Sequence, residues 1–156
     1  MKSFNVGIIG GTGMVGQRFA TLLENPPWFH VKGRWAMTAP IPENMKDLVV
    51  MDAGKDVEKI ASMVDFVFCA VDMKKDEIKK LEEAYAKAEC PVVSNNSANR
   101  GVADVPMVVP EINPQHFDVI ESQKKRLGTK RGFIAVKPNC SIQSYAPVLT
   151  AWKEFE

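Results

Sequence analysis

Seven residues near the start of the chain, Gly10-Gly11-Thr12-Gly13-Met14-Val15-Gly16, narrow its folding options more than any other stretch. An apolar run, Phe4 to Ile9, leads into them and reads as a buried first strand. Behind them, Met14, Val15, Phe19, Leu22 and Leu23 recur at helical spacing until Asn25-Pro26-Pro27 ends the pattern. The unit is therefore a strand, a glycine turn and a helix. Gly10 is placed for the tight turn, Gly13 for close approach of a pyrophosphate to the backbone, and Gly16 for close packing of helix on strand. Unpaired N–H groups at the helix start would face the phosphates. An ordinary strand-to-helix turn also favours glycine, so the meaning of the pattern rests on its place after the first strand of an α/β chain.

The remainder of the chain keeps that alternation. Phe29 to Val31 is expected to be a second strand, broken at Lys32-Gly33-Arg34, and Thr38 to Asn44 an extended loop. A short apolar strand is expected over Asp47 to Asp52. Asp65 to Val71 (DFVFCAV) carries the strongest strand signal. Lys74 to Ala88 reads as an amphipathic helix with Ile78, Leu81, Ala84, Tyr85 and Ala88 on its apolar stripe and Asp72 as its cap. Val92 and Val93 form the next strand, with Met107 to Val109 as a further one. Asn113-Pro114 opens a helix that Lys125, Arg126 and Gly128 close. Gly132 to Val136 is a last strand and Ser141 to Phe155 a last helix. Strands alternating with helices predict a Rossmann-type α/β fold, a mostly parallel sheet with helices on both faces.

A formal net charge of +1 supplies no field for nucleic acid or an anionic membrane, which leaves a small-molecule partner. No segment reaches the ~18 apolar residues of a membrane span, and no secretory signal is visible, so the cytoplasm is the expected compartment. Cys69, Cys90 and Cys140 form neither a CxxC pair nor a zinc-like cluster, so no metal site is expected.

Of the three thiols, Cys140 stands apart. It lies in Lys137-Pro138-Asn139-Cys140-Ser141, between the last strand and the last helix. A thiol at a helix N-terminus faces the positive end of the dipole, which favours thiolate, and backbone donors there suit an oxyanion. Cys69 and Cys90, within apolar surroundings, read as inert small hydrophobes. A glycine loop together with an activated cysteine points to acyl chemistry at sulfur with hydride from a nicotinamide. An NAD site usually places an acid ~20 residues beyond the loop, whereas His30-Val31-Lys32-Gly33-Arg34 has none. Lys32 or Arg34 could accept a 2′-phosphate, which favours NADP.

These features together resemble aspartate-semialdehyde dehydrogenase, in the branch found in archaea, fungi and some bacteria. The resemblance is carried by GGTGMVGQRF, Asn25-Pro26-Pro27-Trp28-Phe29, VVSNNSANR at 92–100, DVPMVVPEINPQHFDVI at 104–120 and KPNCS at 137–141. It implies NADP-dependent interconversion of L-aspartyl 4-phosphate and L-aspartate 4-semialdehyde, with phosphate, on the route to lysine, threonine and methionine. It also implies a nucleophilic Cys140 and a cofactor phosphate loop at Gly10, Thr12, Gly13, Met14, Val15 and Gly16. Ser94 and Asn95 would lie on the nicotinamide side, with Arg100 and Asn139 at the substrate, Arg100 holding its phosphate.

The family's Ser- and Gly-containing loop over the adenosine 2′-phosphate has no counterpart between Val31 and Trp35. By the same resemblance, residues 1–139 form the dinucleotide-binding domain and 140–156 begin the catalytic domain. The general acid/base histidine, the carboxylate-binding arginine and most of a homo-oligomer interface belong beyond Glu156. His30 and His116 do not match that histidine and read as surface residues, and these 156 residues alone are expected to be inactive. Three alternatives stay open: N-acetyl-glutamyl-phosphate reductase, whose cysteine motif is flanked differently, a malonyl-CoA reductase, and a catalytically silent nucleotide-binding module.

Overall fold

The computed structural model describes residues 2–36 and 51–153. Five strands, β1 (Phe4–Ile9), β2 (Phe29–Trp35), β3 (Phe66–Cys69), β4 (Val92–Ser94) and β5 (Ile134–Val136), form one sheet in the order β2-β1-β3-β4-β5. Every pairing is parallel. Helices α1 (Met14–Leu23), α2 (Val57–Met63), α3 (Lys75–Lys87) and α4 (Ile120–Leu127) connect them, and α5 (Cys140–Trp152) follows β5. This is the doubly wound architecture expected from the alternation. Parallel strands require crossovers, and the crossover helices cover the two faces.

Side-chain alternation divides the interior. Val6 and Ile8 of β1 join Ala20 and Leu23 of α1 on one face, where Phe19, Phe29, Phe66 and Phe68 pack against them. The Phe19 and Phe68 rings stack at 4.9 Å. On the opposite face Ile9, Val67, Cys69, Val92 and Ile134 meet Ile60 of α2 and Ile78, Leu81 and Tyr85 of α3. Tyr85 is fully buried, yet its hydroxyl is satisfied by the Ala53 carbonyl at 2.8 Å.

Several expectations need correction. β2 does not break at Lys32-Gly33-Arg34 but continues to Trp35. The Trp35 indole lies over Gly7 and Gly33, and a Cβ on either would enter the ring. Glycine here admits an aromatic ring and does not end the strand. The β1–β2 register shifts between Val6 and Gly7, leaving Lys32 unmatched, and this bulge absorbs the irregularity. Met107 to Val109 forms no strand; Met107 makes a single parallel bridge to Val136. The helix opened by Asn113-Pro114 is a 3₁₀ segment, Pro114–Val119, before α4 begins. Gly128 ends α4 in the left-handed conformation, φ 72°, as its position predicts. α3 starts after Lys74, whose N–H donates to Glu77 Oε2 at 3.3 Å, so Asp72 is not its cap. The Thr38–Asn44 loop and most of the Asp47–Asp52 strand lie outside the described residues, as does the expected end of α5 at Phe155; Asp52 bridges Ala36.

β5 sits at the sheet edge, where an open ladder would leave backbone groups unpaired. Gln123 of α4 closes it. Its Oε1 accepts from Ile134 N–H at 2.6 Å, and its Nε2 donates to the Ile134 and Asp104 carbonyls at 2.9 and 2.8 Å. Gln123→Ala leaves these groups unpaired in the interior. It should destabilise the domain by on the order of 3 kcal/mol, measured by urea unfolding.

A second clamp secures the turn before β5. Glu89 adopts φ 60° and its carboxylate accepts from the N–H groups of Lys130, Arg131 and Gly132. Those donors hold its carboxyl below the usual glutamate range. A carboxyl depressed by folding contributes stability above its unfolded pKa, and that stability is lost as pH falls through the folded value. Glu89→Gln should therefore flatten the acid side of the stability–pH profile below about pH 5 while leaving its neutral shape unchanged, as urea midpoints across pH 3–7 would reveal.

Candidate active site

Because all strands are parallel, their carboxyl ends share one edge, and the loops that leave it contain nearly every residue singled out in the sequence. After β1 the chain steps outward to β2 and then crosses back to β3. The crevice between the ends of β1 and β3 is thus the topological switch point, where such sheets bind ligands.

The glycine loop occupies that crevice. Gly10 takes φ 83°, and its Cα packs against the Ala70 carbonyl beyond β3, so it has both the strain and the contact that demand glycine. Gly10 and Gly11 N–H both donate to the Trp35 carbonyl, at 2.7 and 3.2 Å, tying the loop to the end of β2. A Cβ on Gly16 would fall on the Gly10 carbonyl oxygen, so Gly16 brings α1 down onto the turn.

Gly13 differs from these. A Cβ there would meet only the Gly10 oxygen at 3.4 Å, an ordinary contact, so the fold does not itself require glycine at 13. Gly13 is the N-cap of α1 and no side chain caps that helix. Met14 is 87% exposed, so the helix start opens to solvent. Gln17 Nε2 holds the Thr12 carbonyl at 2.9 Å, which fixes the outer turn.

After β4, Asn95 N–H donates to the Cys69 carbonyl at 2.8 Å, and Lys137 N–H donates to the Ser94 carbonyl at 3.1 Å. These bonds place the Ser94–Arg100 segment between β3 and the cysteine loop. The Ser94 side chain points inward, 1% exposed, and its hydroxyl donates to Glu82 Oε1. Beside it, Asn95 and Asn96 are half-buried and Ser97 is exposed. Arg100 Nε donates to the Lys137 carbonyl at 3.1 Å and its Nη2 to the Asn95 carbonyl at 3.2 Å. One guanidinium therefore joins the two loops and retains further N–H donors.

After β5, Pro138 stops the strand and Asn139 caps α5: its Oδ1 accepts from Ser141 N–H at 2.8 Å. Cys140, expected just before the helix, is its first residue and is exposed. Cys69 and Cys90 are buried. Burial first, and then the Glu82 carboxylate, pushes the Cys69 thiol well up. Burial pushes Cys90 up to about 12. His30 lies within β2 and His116 within the 3₁₀ segment, both exposed. Sequence reasoning missed Glu82, although a readable signal exists: four residues after Ile78, it falls on the buried face of α3.

A family model described as "Semialdehyde dehydrogenase, NAD binding domain" matches residues 5–120. The chain belongs to this family. Among its relatives, an aspartate-semialdehyde dehydrogenase of Archaeoglobus fulgidus is 37% identical over 150 residues, covering 88% of this chain and 43% of the relative. One from Aspergillus fumigatus is 36% identical over 152 residues, covering 87% and 40% respectively. The chain thus spans less than half the length of the curated relatives it matches. The structure of the Candida albicans enzyme with NADP superposes with a TM-score of 0.78 at 32% identity, over 99% of this chain and 48% of that one. The archaeal and fungal resemblance read from the motifs is thereby borne out.

Within a semialdehyde dehydrogenase NAD-binding domain the two helix-proximal glycines should separate cleanly on mutation. Gly16→Ala should destabilise the fold by about 1–3 kcal/mol through overpacking, although Gly→Ala inside a helix normally stabilises it. Gly13→Val should leave the unfolding midpoint nearly unchanged and weaken dinucleotide binding. Calorimetric titration beside thermal unfolding tests both, and unchanged affinity in Gly13→Val removes the loop from the site.

Proposed function

We propose that this chain is the cofactor-binding and nucleophile-bearing part of an NADP-dependent aspartate-semialdehyde dehydrogenase. It would convert L-aspartyl 4-phosphate to L-aspartate 4-semialdehyde and back. The observation that carries the reading is Cys140. It is exposed at the first turn of α5, on the same sheet edge as the glycine loop, while the other two thiols are buried. Strand spacing puts the ends of β1 and β5 roughly 14 Å apart, room for a nicotinamide ribose and a small acyl substrate between them.

The residues present suit a dinucleotide. Gly10, Thr12, Gly13, Met14, Val15 and Gly16 would form the phosphate loop, with a glycine at 13 that the fold's own packing does not demand and an uncapped helix start for the pyrophosphate. Asn95 would line the nicotinamide side, with Ser94 supporting it from below. Arg34 supports the 2′-phosphate preference better than Lys32, because it stands beside Gly11 whereas Lys32 lies in the bulge. When bound, NADPH supplies the hydride.

Cys140 Sγ would attack the acyl carbon. The C–O bond to phosphate breaks, phosphate leaves, and a thioester remains on the sulfur for reduction; collapse of the reduced adduct returns the thiolate. Arg100, anchored by two carbonyls, would present its remaining N–H groups to the departing phosphate. The Nδ2 of Asn139 is left for the substrate once Oδ1 caps the helix. Backbone N–H groups of the first turn of α5 would receive the oxyanion.

The boundary at 139/140 is supported by α5 itself, which buries none of its side chains and exposes Ile142, Tyr145, Val148, Leu149 and Trp152. The complete protein would form a homo-oligomer, and three free thiols fit the reducing cytoplasm. No helix among the described residues is long and apolar enough to cross a membrane.

Brief, substoichiometric iodoacetamide at neutral pH followed by peptide mapping should label Cys140 first, with Cys69 and Cys90 unlabelled. In the complete parent protein, Cys140→Ser should abolish phosphate-dependent oxidation of the semialdehyde, because an unactivated hydroxyl is a poor nucleophile. First label on Cys69 or Cys90, or turnover surviving in Cys140→Ser, would remove the thioester mechanism.

A further inference from the structure

Glu82 belongs to a helix that supplies nothing to the reaction as derived above, and it is 1% exposed. Burying a carboxylate is costly unless its lost water is replaced by other donors. Here three donors come from one segment, with the Cys69 thiol of β3 beside them. Oε1 accepts from the Ser94 hydroxyl and from Asn96 Nδ2 at 3.0 Å, and Oε2 accepts from Asn99 Nδ2 at 2.7 Å. Ser94 Oγ itself accepts from Asn96 N–H at 3.0 Å, so its own proton is directed at Glu82. Three donors converge on two oxygens, which a carboxylate can serve. A glutamine would turn its own NH₂ against one of the donors.

The segment so held is the one that joins the candidate site together. Within it, the Asn95 N–H is bonded to the Cys69 carbonyl at the end of β3. Arg100 ends it, bridging the Asn95 carbonyl to the carbonyl of Lys137, three positions before Cys140. Glu82 therefore touches no reacting atom, yet the loops on either side of the reaction are fixed relative to it.

We propose that Glu82 is a positioning residue. Its carboxylate holds Ser94–Arg100 in the shape that presents Asn95 to the nicotinamide and aligns the cysteine loop through Arg100. The inference rests on the reading of Asn95 as the nicotinamide side of the site. A merely structural role would affect the unfolding midpoint and treat all ligands alike. A positioning role acts on one half of the cofactor.

The test is titration of the 156-residue chain with NADPH and, separately, with adenosine 2′,5′-bisphosphate, which lacks the nicotinamide, at a temperature far below every unfolding midpoint. Glu82→Gln should weaken NADPH by about tenfold and change the bisphosphate by less than about twofold. Adding Asn99→Asp to that variant turns the new amide's clash into a donor–acceptor pair, with the amide at position 82 donating to the carboxylate at position 99. The double variant should recover most of the NADPH affinity. If Glu82→Gln does not fold, Asn96→Ala, which removes one donor, should produce the same selective loss on a smaller scale. Unchanged NADPH affinity, an equal loss for both ligands, or a double variant no better than the single one overturns the proposal. A wild-type chain that binds neither ligand would instead overturn the dinucleotide reading, and the inference with it.

Discussion

Parallel pairing is the constraint from which the rest of this molecule follows. Each strand must be reached by a crossover, so all five strands run in one direction and every following loop emerges at one edge. The glycine turn, the Ser94–Arg100 segment and the cysteine loop are far apart in sequence, yet they become neighbours for this reason alone. The pairing of β1 with β2 depends in turn on a single aromatic ring. Trp35 lies across Gly7 and Gly33, and the register slips at that point to let it in. Its carbonyl then receives Gly10 and Gly11, so the register of the edge strand also sets the height of the glycine loop.

Buried polar side chains are few among the described residues, and two of them stand where backbone geometry alone leaves something unfinished. Gln123 supplies to β5 the donor and acceptors that a sixth strand would have offered. Glu82 gathers three donors from a loop that forms no ladder of its own. Removing one partner from such a network strands the others in a low-dielectric interior, which makes these sites rigid as well as costly to alter. In the proposed reaction, rigidity at this edge would have a chemical use. A guanidinium already anchored by two carbonyls, and a thiol already seated on a capped helix, would need little reorganisation if charge developed on a substrate there.

The division of labour among the glycines follows the same logic. Gly10 and Gly16 are demanded by the protein: one by a positive φ against a neighbouring backbone, the other by contact between the helix and the turn. At Gly13 a Cβ would meet only the Gly10 oxygen at 3.4 Å, so packing within the fold does not require glycine there. The sequence pattern assigns the three different duties, and the atoms around each Cα show what a side chain at each would meet.

Much of this was legible in the chain itself. The strand–glycine–helix unit, the alternation that forces a parallel sheet, the strong third strand and the exposed character of Cys140 follow from local periodicity and turn chemistry, which act over a few residues. The motifs were specific enough to identify the family. What the sequence could not decide was anything set by contact across the sheet. Lys32-Gly33-Arg34 reads as a break until the Trp35 ring is seen above the glycine. Met107 to Val109 reads as a strand until it is reduced to one bridge with Val136. Ser94 is expected on the nicotinamide side, and nothing in the sequence hints that its hydroxyl turns inward to Glu82, a residue whose place on the helix face was visible but whose partners, twelve to seventeen positions away, were not. Hydrophobic spacing reports which side of an element is buried. It carries no record of which polar groups meet there, because that depends on how separate elements are stacked by the tertiary fold.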